Sequence, residues 1–388
     1  MSIGLRRIVF WSHLIVGSGA GVVILVMAIT GVLLTYERQI VEWTEQQYAV
    51  QHSPDVTLPA DVIFKSLRER HSDEHHFFVR FVNRPGSAVS VWAGQHSYLV
   101  SPYTGEVLRV GQGVIANVFH VITDLHRSLA FGGDAKDLGG SLIGYSNLFF
   151  IFLILTGAYL WLPRMWKWPL LRSRILISTN AKWVKARNYN WHHAVGFWVM
   201  PPLLIIALSA TLFSFSWTNT LLYGFYGEEV PVRDDGAEEI FRQTESAVSY
   251  QSLFERSTQH ATMNGATDWY SIWMEVGENA GEVRFYIDRS IGRRPEFAYS
   301  LRLSDESGDV LEVKKHTDWS EGDQAWDAAR FLHTGEVFGF VGQTIAGLAS
   351  LGACVLVYTG LALSWRRFWL WHRVGNSGRK KSVSQSEL

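Results

Sequence analysis

Four histidines are the residues of this chain best placed to do chemistry. His13 and His192 each follow basic residues and open a long apolar run, and His126 and His333 each stand shortly before another. An imidazole at the mouth of a membrane helix either faces headgroups or binds something inside the bundle. A single one is usually interfacial, but four of them, one per membrane helix and two per face, form a ligand set. Neutral imidazoles from facing helices are the usual axial ligands of a six-coordinate b-type haem. The sequence therefore offers two haem b sites, one on His13 and His192 and one on His126 and His333. There is no Cys-x-x-Cys-His, so such haems would be held non-covalently. His193 and His120 are the alternatives to His192 and His126. His192 keeps the spacing of His13, and His126 is followed by Arg127 and lies nearer its helix end, but both choices stay open. Arg7, Arg127, Arg6 and Arg330 lie close enough in sequence to these histidines to pair with haem propionates. Gly17, Gly19, Gly21 and Gly196 would let a porphyrin approach the backbone.

The elements that must position these residues are membrane helices. The 388 residues are 47% hydrophobic, with a net charge of -1. Leu14–Leu34 carries no charge, and neither do the runs 141–162, 194–217 and 337–365. Each is long enough to cross a bilayer core of roughly 30 Å as a helix. The 163–188 loop carries seven basic residues and no acidic one, and the tail after Trp365 is also basic. The positive-inside rule then puts both termini and that loop in the cytoplasm, and the two long segments between helices in the periplasm of an inner-membrane protein. The first apolar run is too long, and lacks the small-residue cleavage site, for a removable signal peptide. Tryptophans crowd the cytoplasmic ends as an interfacial belt. Cys354, the one cysteine, falls inside the fourth apolar run, which excludes disulfides and iron–sulfur clusters.

The chain divides as a first membrane helix (8–36), an outer domain (37–112), an amphipathic helix with the second membrane helix (113–162), the basic loop (163–188), the third membrane helix (189–217), a second outer domain (218–327), the fourth membrane helix (328–367) and a tail (368–388). Each outer domain reads as one helix and about four antiparallel strands, a small α+β module. The first helix spans 61–71, with Asp61 as its N-cap. Offsets repeat between the halves: His13 is seventeen residues before Thr30, and His192 seventeen before Ser209. Thr30-Gly31, Thr156-Gly157 and Thr359-Gly360 close three of the membrane helices. The fold class is thus a mainly α integral membrane protein, a four-helix bundle from an internal duplication with two α+β periplasmic domains. Such repeats place sites at the interface of the halves.

Other motifs are weaker. Gly17–Gly21 lies inside an apolar span without a preceding strand, so it is no nucleotide loop. The cluster 71–76 is rich in histidine and acid but lacks zinc spacing. Pro201-Pro202 should bend the third helix. No hydrolase, flavin or nicotinamide signature is present, and nothing points to nucleic acid.

His13 with Thr30-Gly31, His126-Arg127, His192 with Gly196, and His333-Thr334-Gly335 followed by Thr359-Gly360 resemble the PepSY-associated transmembrane family. The outer modules, ending in Pro102-Tyr103-Thr104-Gly105 and in Ser307-Gly308, look like PepSY domains. Within the family the chain is most similar to the inner-membrane ferric-siderophore reductases. The resemblance implies two b haems and electron delivery to iron in the periplasm. On this reading a quinol or cytoplasmic reductase is the donor and a ferric siderophore the acceptor. The irons would stand roughly 15–20 Å apart if the sites lie about a turn from each helix end. Tyr103, Phe119, Trp217, Tyr223 and Tyr226 would line the chelate site. Two rival expectations are a cofactor-free PepSY binding module on a membrane anchor, and a haem subunit that passes electrons to a protein partner.

Overall fold

The computed structural model describes residues 3–50, 57–70, 74, 76–163, 165–179, 183–231, 247–277, 281–291 and 294–384, with side chains described to residue 368. The chain forms α1 (Ile3–Leu34), α2 (Glu37–Gln46), α3 (Ala60–Arg70), β1 (Phe77–Val82), β2 (Val89–Ala93), β3 (His96–Val100), β4 (Val107–Val110), α4 (Val114–Ser128), α5 (Lys136–Trp161), α6 (Trp168–Ile175), α7 (Val184–Ser214), α8 (Ser216–Phe225), α9 (Tyr250–Met263), β5 (Ser271–Val276), β6 (Glu282–Asp288), β7 (Ala298–Ser304), β8 (Val310–Lys315), α10 (Glu321–Thr334) and α11 (Gly339–Ser384). Residues 1–35, 121–219 and 328–388 make one compact unit, and residues 36–120 and 220–327 a second.

The first unit is helical. Helices within α1, α5, α7 and α11 are long and apolar enough to cross a membrane, and in lipid a helix satisfies its own backbone polar groups. The packed pairs are α1–α5, α5–α7, α7–α11 and α11–α1, a ring in which α1 lies diagonally from α7 and α5 from α11. Small residues let the helices approach: Ala28, Ala207, Ala349 and Ala353 are buried with Ile154 and Leu203. Asn147 donates to the Ala207 carbonyl at 2.9 Å inside this core. Helix α7 runs through Pro201 and Pro202 without interruption. The carbonyls left unpaired at the end of α5 are met by arginines. Arg6 donates to those of Leu160 and Leu162, and Arg174 to that of Trp161.

Short helices precede α5 and α11, each turned by a left-handed corner. After α4 the chain reverses at Leu129 and Ala130, both at positive φ. Such a conformation costs a non-glycine residue about 1–3 kcal/mol and persists only where its surroundings enforce it. The break therefore comes before the Gly132-Gly133 pair. After α10 the corner is Gly335, at φ 77°, where a Cβ would fall 2.3 Å from the Gly342 carbonyl oxygen. Only glycine fits there.

The second unit corrects the expectation of two separate modules. Its strands form one eight-stranded antiparallel sheet of order β4-β3-β2-β1-β5-β6-β7-β8, with β1 and β5 paired from Phe77↔Val276 to Val82↔Ser271. Alternation puts Phe77, Val79, Val91, Ile272, Met274, Phe285, Ile287, Leu301 and Leu303 on one face, fully buried beneath α3 and α9. Those helices cap each other. The Asp61 carboxylate accepts from the backbone N–H groups of Tyr250 and Gln251 at 2.8 and 3.0 Å. The Gln251 side chain accepts from the Ala60 N–H at 2.9 Å. Asp61 thus serves the partner helix and not its own, because α9 starts beside it and its orphan N–H groups attract a carboxylate. On the other face Arg80 is 8% exposed and paired with Glu42 at 2.9 Å and Glu45 at 3.4 Å. The Tyr270 hydroxyl donates to Glu42.

Candidate functional site

All four histidines lie in the helical unit, and one local geometry recurs around each. The His13 Nδ1 lies 2.9 Å from the Thr156 hydroxyl of α5. That of His126 in α4 lies 2.8 Å from Thr30 of α1. That of His192 in α7 lies 3.0 Å from Thr359 of α11. The His333 ring of α10 faces the Ser209 hydroxyl of α7 at 3.3 Å and the Ile206 carbonyl at 3.0 Å. Within each half the exchange is reciprocal. Helix α1 gives His13 to α5 and receives His126, while α7 gives His192 to α11 and receives His333.

These contacts favour one tautomer. Each hydroxyl donates its one proton to the carbonyl four residues earlier: Thr30 to Val26, Thr156 to Phe152 and Thr359 to Val355, each at 2.7 Å, and Ser209 to Ile205 at 2.9 Å. A hydroxyl so committed has only lone pairs left for the ring, and a carbonyl can only accept. The Met27 and Leu356 carbonyls also stand behind His126 and His192. The arrangement favours hydrogen on Nδ1 and a lone pair on Nε2. This is how a metal-ligating histidine is prepared.

The residue after the hydroxyl makes room for the ring. A Cβ on Gly157 would stand 3.3 Å from His13 Cε1, one on Gly360 3.3 Å from His192 Cε1, and one on Gly31 3.8 Å from His126 Cε1. Among the glycines expected to admit a porphyrin, a Cβ on Gly19 would meet nothing within 4 Å. Gly17 faces Leu153, Gly21 faces Leu361 and Gly196 faces Leu356.

The His126 and His333 rings are 6.4 Å apart between centroids. Metal–imidazole bonds of about 2.0–2.1 Å, with ring centres about 1.1 Å further out, would separate the centroids of two trans ligands by about 6.3 Å. The separation of the pair thus matches that of two imidazoles on one metal ion. His13 lies within electrostatic range of both His192 and His193, across the α1–α7 diagonal. His193 donates to the Tyr189 carbonyl of its own helix at 2.9 Å and lacks the hydroxyl and glycine that serve His192. His120 is exposed on α4. No group of three or more His, Cys, Asp or Glu suited to a metal occurs among the described residues. Each pair thus supplies two imidazole nitrogens.

Seventeen residues separate His13 from Thr30 in α1. At about 1.5 Å per residue the two levels are about 25 Å apart along the helix. Arg7 and Arg127 are exposed, whereas Arg6 is committed to the α5 carbonyls. Arg330 lies over the Phe331 ring.

Among the aromatics expected around a chelate, Phe119 and Tyr223 are buried, and Tyr223 donates to Asp323 at 2.7 Å. Tyr103 is half-buried, and Trp217 and Tyr226 are exposed, the first tilted against Phe215 and the second edge-on to Phe225. In the acidic cluster His76 pairs with Glu275 at 2.9 Å, while His71, Ser72, Asp73 and His75 lie outside the described residues. The hydroxyls Thr30, Thr156, Thr359 and Ser209 were visible in the sequence as landmarks, but only the folded chain gives them a role. The repeated offset of seventeen was the available signal.

No curated protein matches the chain. The family model described as the PepSY-associated TM region matches residues 10–367, nearly the whole of it. The chain is a member of the PepSY-associated transmembrane family.

Proposed function

We propose that this protein is a di-haem b oxidoreductase of the bacterial inner membrane that reduces a ferric siderophore in the periplasm. The observation that carries the reading is the preparation of four imidazoles on four helices, each with Nδ1–H held and Nε2 open, two of them spaced for one metal. His13 and His192 would hold the haem nearer the cytoplasm, and His126 and His333 the one nearer the periplasm. Bound there, the haems would supply one-electron transfer over the length of the bundle.

The protein's own contribution is positional. Thr156, Thr30, Thr359 and the Ile206 carbonyl orient the rings, and the apolar helices keep water from them. Arg7 and Arg127, both exposed, would pair with propionates by charge-assisted hydrogen bonds. The overall reaction adds one electron, drawn from quinol or a cytoplasmic reductase, to an iron(III) chelate. The product is iron(II), which hard oxygen ligands hold far less tightly than iron(III). The internal duplication fits the reciprocal exchange of histidines within each half.

The test is anaerobic mixing of dithionite-reduced, detergent-purified protein, freed of excess reductant, with ferrioxamine and an iron(II) trap such as ferrozine. Trapped iron(II), formed as the protein reoxidises, is the expected result. A reduced haem protein that stays reduced would point instead to a protein acceptor.

A further inference from the structure

Three of the four histidines are held by the same pair, a threonine and the glycine after it, and the fourth is not. At His126, His13 and His192 the Nδ1 faces a threonine hydroxyl, at 2.8, 2.9 and 3.0 Å. At His333 the hydroxyl is a serine at 3.3 Å, the next residue is Ala210, and the Ile206 carbonyl is nearer at 3.0 Å.

We infer that Thr30, Thr156 and Thr359 are positioning residues that tune the metal bound by His126, His13 and His192, and that the Ile206 backbone carbonyl does this for His333. The inference rests on the haem reading above. A hydroxyl that donates to a backbone carbonyl is polarised and becomes a better acceptor. A ring whose Nδ1–H is hydrogen-bonded is a more basic ligand at Nε2. A more basic ligand favours the more highly charged metal, so each threonine should hold its haem toward the ferric state. Removing the oxygen at position 30 leaves His126 only the Met27 carbonyl behind it. Removing it at position 209 leaves His333 with the partner it already prefers. Two substitutions at equivalent places in the two halves should therefore differ in effect.

The experiment compares Thr30→Val, Thr30→Ser and Ser209→Ala in the full-length, haem-loaded protein. It reads haem content by pyridine haemochrome, midpoint potentials by redox titration of the α band, and low-spin signals by electron paramagnetic resonance. In Thr30→Val one of the two midpoints should move to higher potential and one low-spin signal should shift. Thr30→Ser should restore both, and Ser209→Ala should leave both midpoints in place. Loss of one haem in Thr30→Val that Thr30→Ser prevents also supports the inference. Unchanged midpoints in a two-haem Thr30→Val protein would overturn it, as would equal shifts in Thr30→Val and Ser209→Ala, or loss of haem in both Thr30 variants. A wild-type protein without haem would overturn the underlying reading itself.

Discussion

Gly360 of α11 and His192 of α7 meet so closely that a methyl group on Gly360 would stand 3.3 Å from the ring's Cε1. That contact is tighter than ordinary van der Waals distance, and the ring it presses on is held to Thr359 at 3.0 Å. Gly360→Ala should therefore displace His192 and lower the haem content from two toward one per chain. Gly4→Ala is the control, since nothing lies within 4 Å of its methyl. Equal haem content in both variants would contradict this account of the glycine.

The two histidines of α4 should behave differently. His126 bonds Thr30 and lies 6.4 Å from His333, while His120 is exposed. His126→Ala is expected to cost one haem per chain and His120→Ala none, as read by pyridine haemochrome. The reverse pattern would reassign the ligand.

Arg80 ties α2 to the sheet. Its side chain and that of Glu42 are each 10% exposed, and removing one partner of such a buried pair costs about 3–5 kcal/mol. Arg80→Met should lower the thermal midpoint markedly, and adding Glu42→Gln should recover part of the loss, because an uncompensated buried carboxylate is then gone. A single variant as stable as wild type would show that the pair contributes nothing.

Tyr270 carries a pH signature. Burial, reinforced by its hydrogen bond to the Glu42 carboxylate, pushes its hydroxyl up to about 12 from an ordinary 10. The folded state thus holds this proton more tightly than the unfolded chain does. The associated stability is complete below pH 10 and is lost as the pH rises from 10 to 12. Wild type should lose thermal stability across that window more steeply than Tyr270→Phe. Parallel pH profiles would refute the assignment.

Much of this architecture is legible in the sequence, because the patterns concerned are local. The uncharged runs mark the four long helices, and alternation such as that of Val283, Phe285 and Ile287 marks the strands. The histidines stand out because each sits at the edge of an apolar run. What the sequence hides is pairing at a distance. The register Phe77↔Val276 joins strands almost 200 residues apart, and no local pattern says that the two modules share a sheet. Asp61 reads as a local N-cap, and nothing near it in the chain reveals that α9 begins beside it. The role of Thr30 and Thr359 is hidden for the same reason. A threonine donating to its own helix is commonplace until an imidazole from another helix arrives at its lone pair.

The central claim is that four prepared imidazoles hold two haems, and a visible spectrum tests it most directly. Detergent-purified protein from haem-replete cells should show sharp α and Soret bands after dithionite reduction, with pyridine haemochrome giving two b haems per chain. A colourless protein from the same cells would contradict the claim.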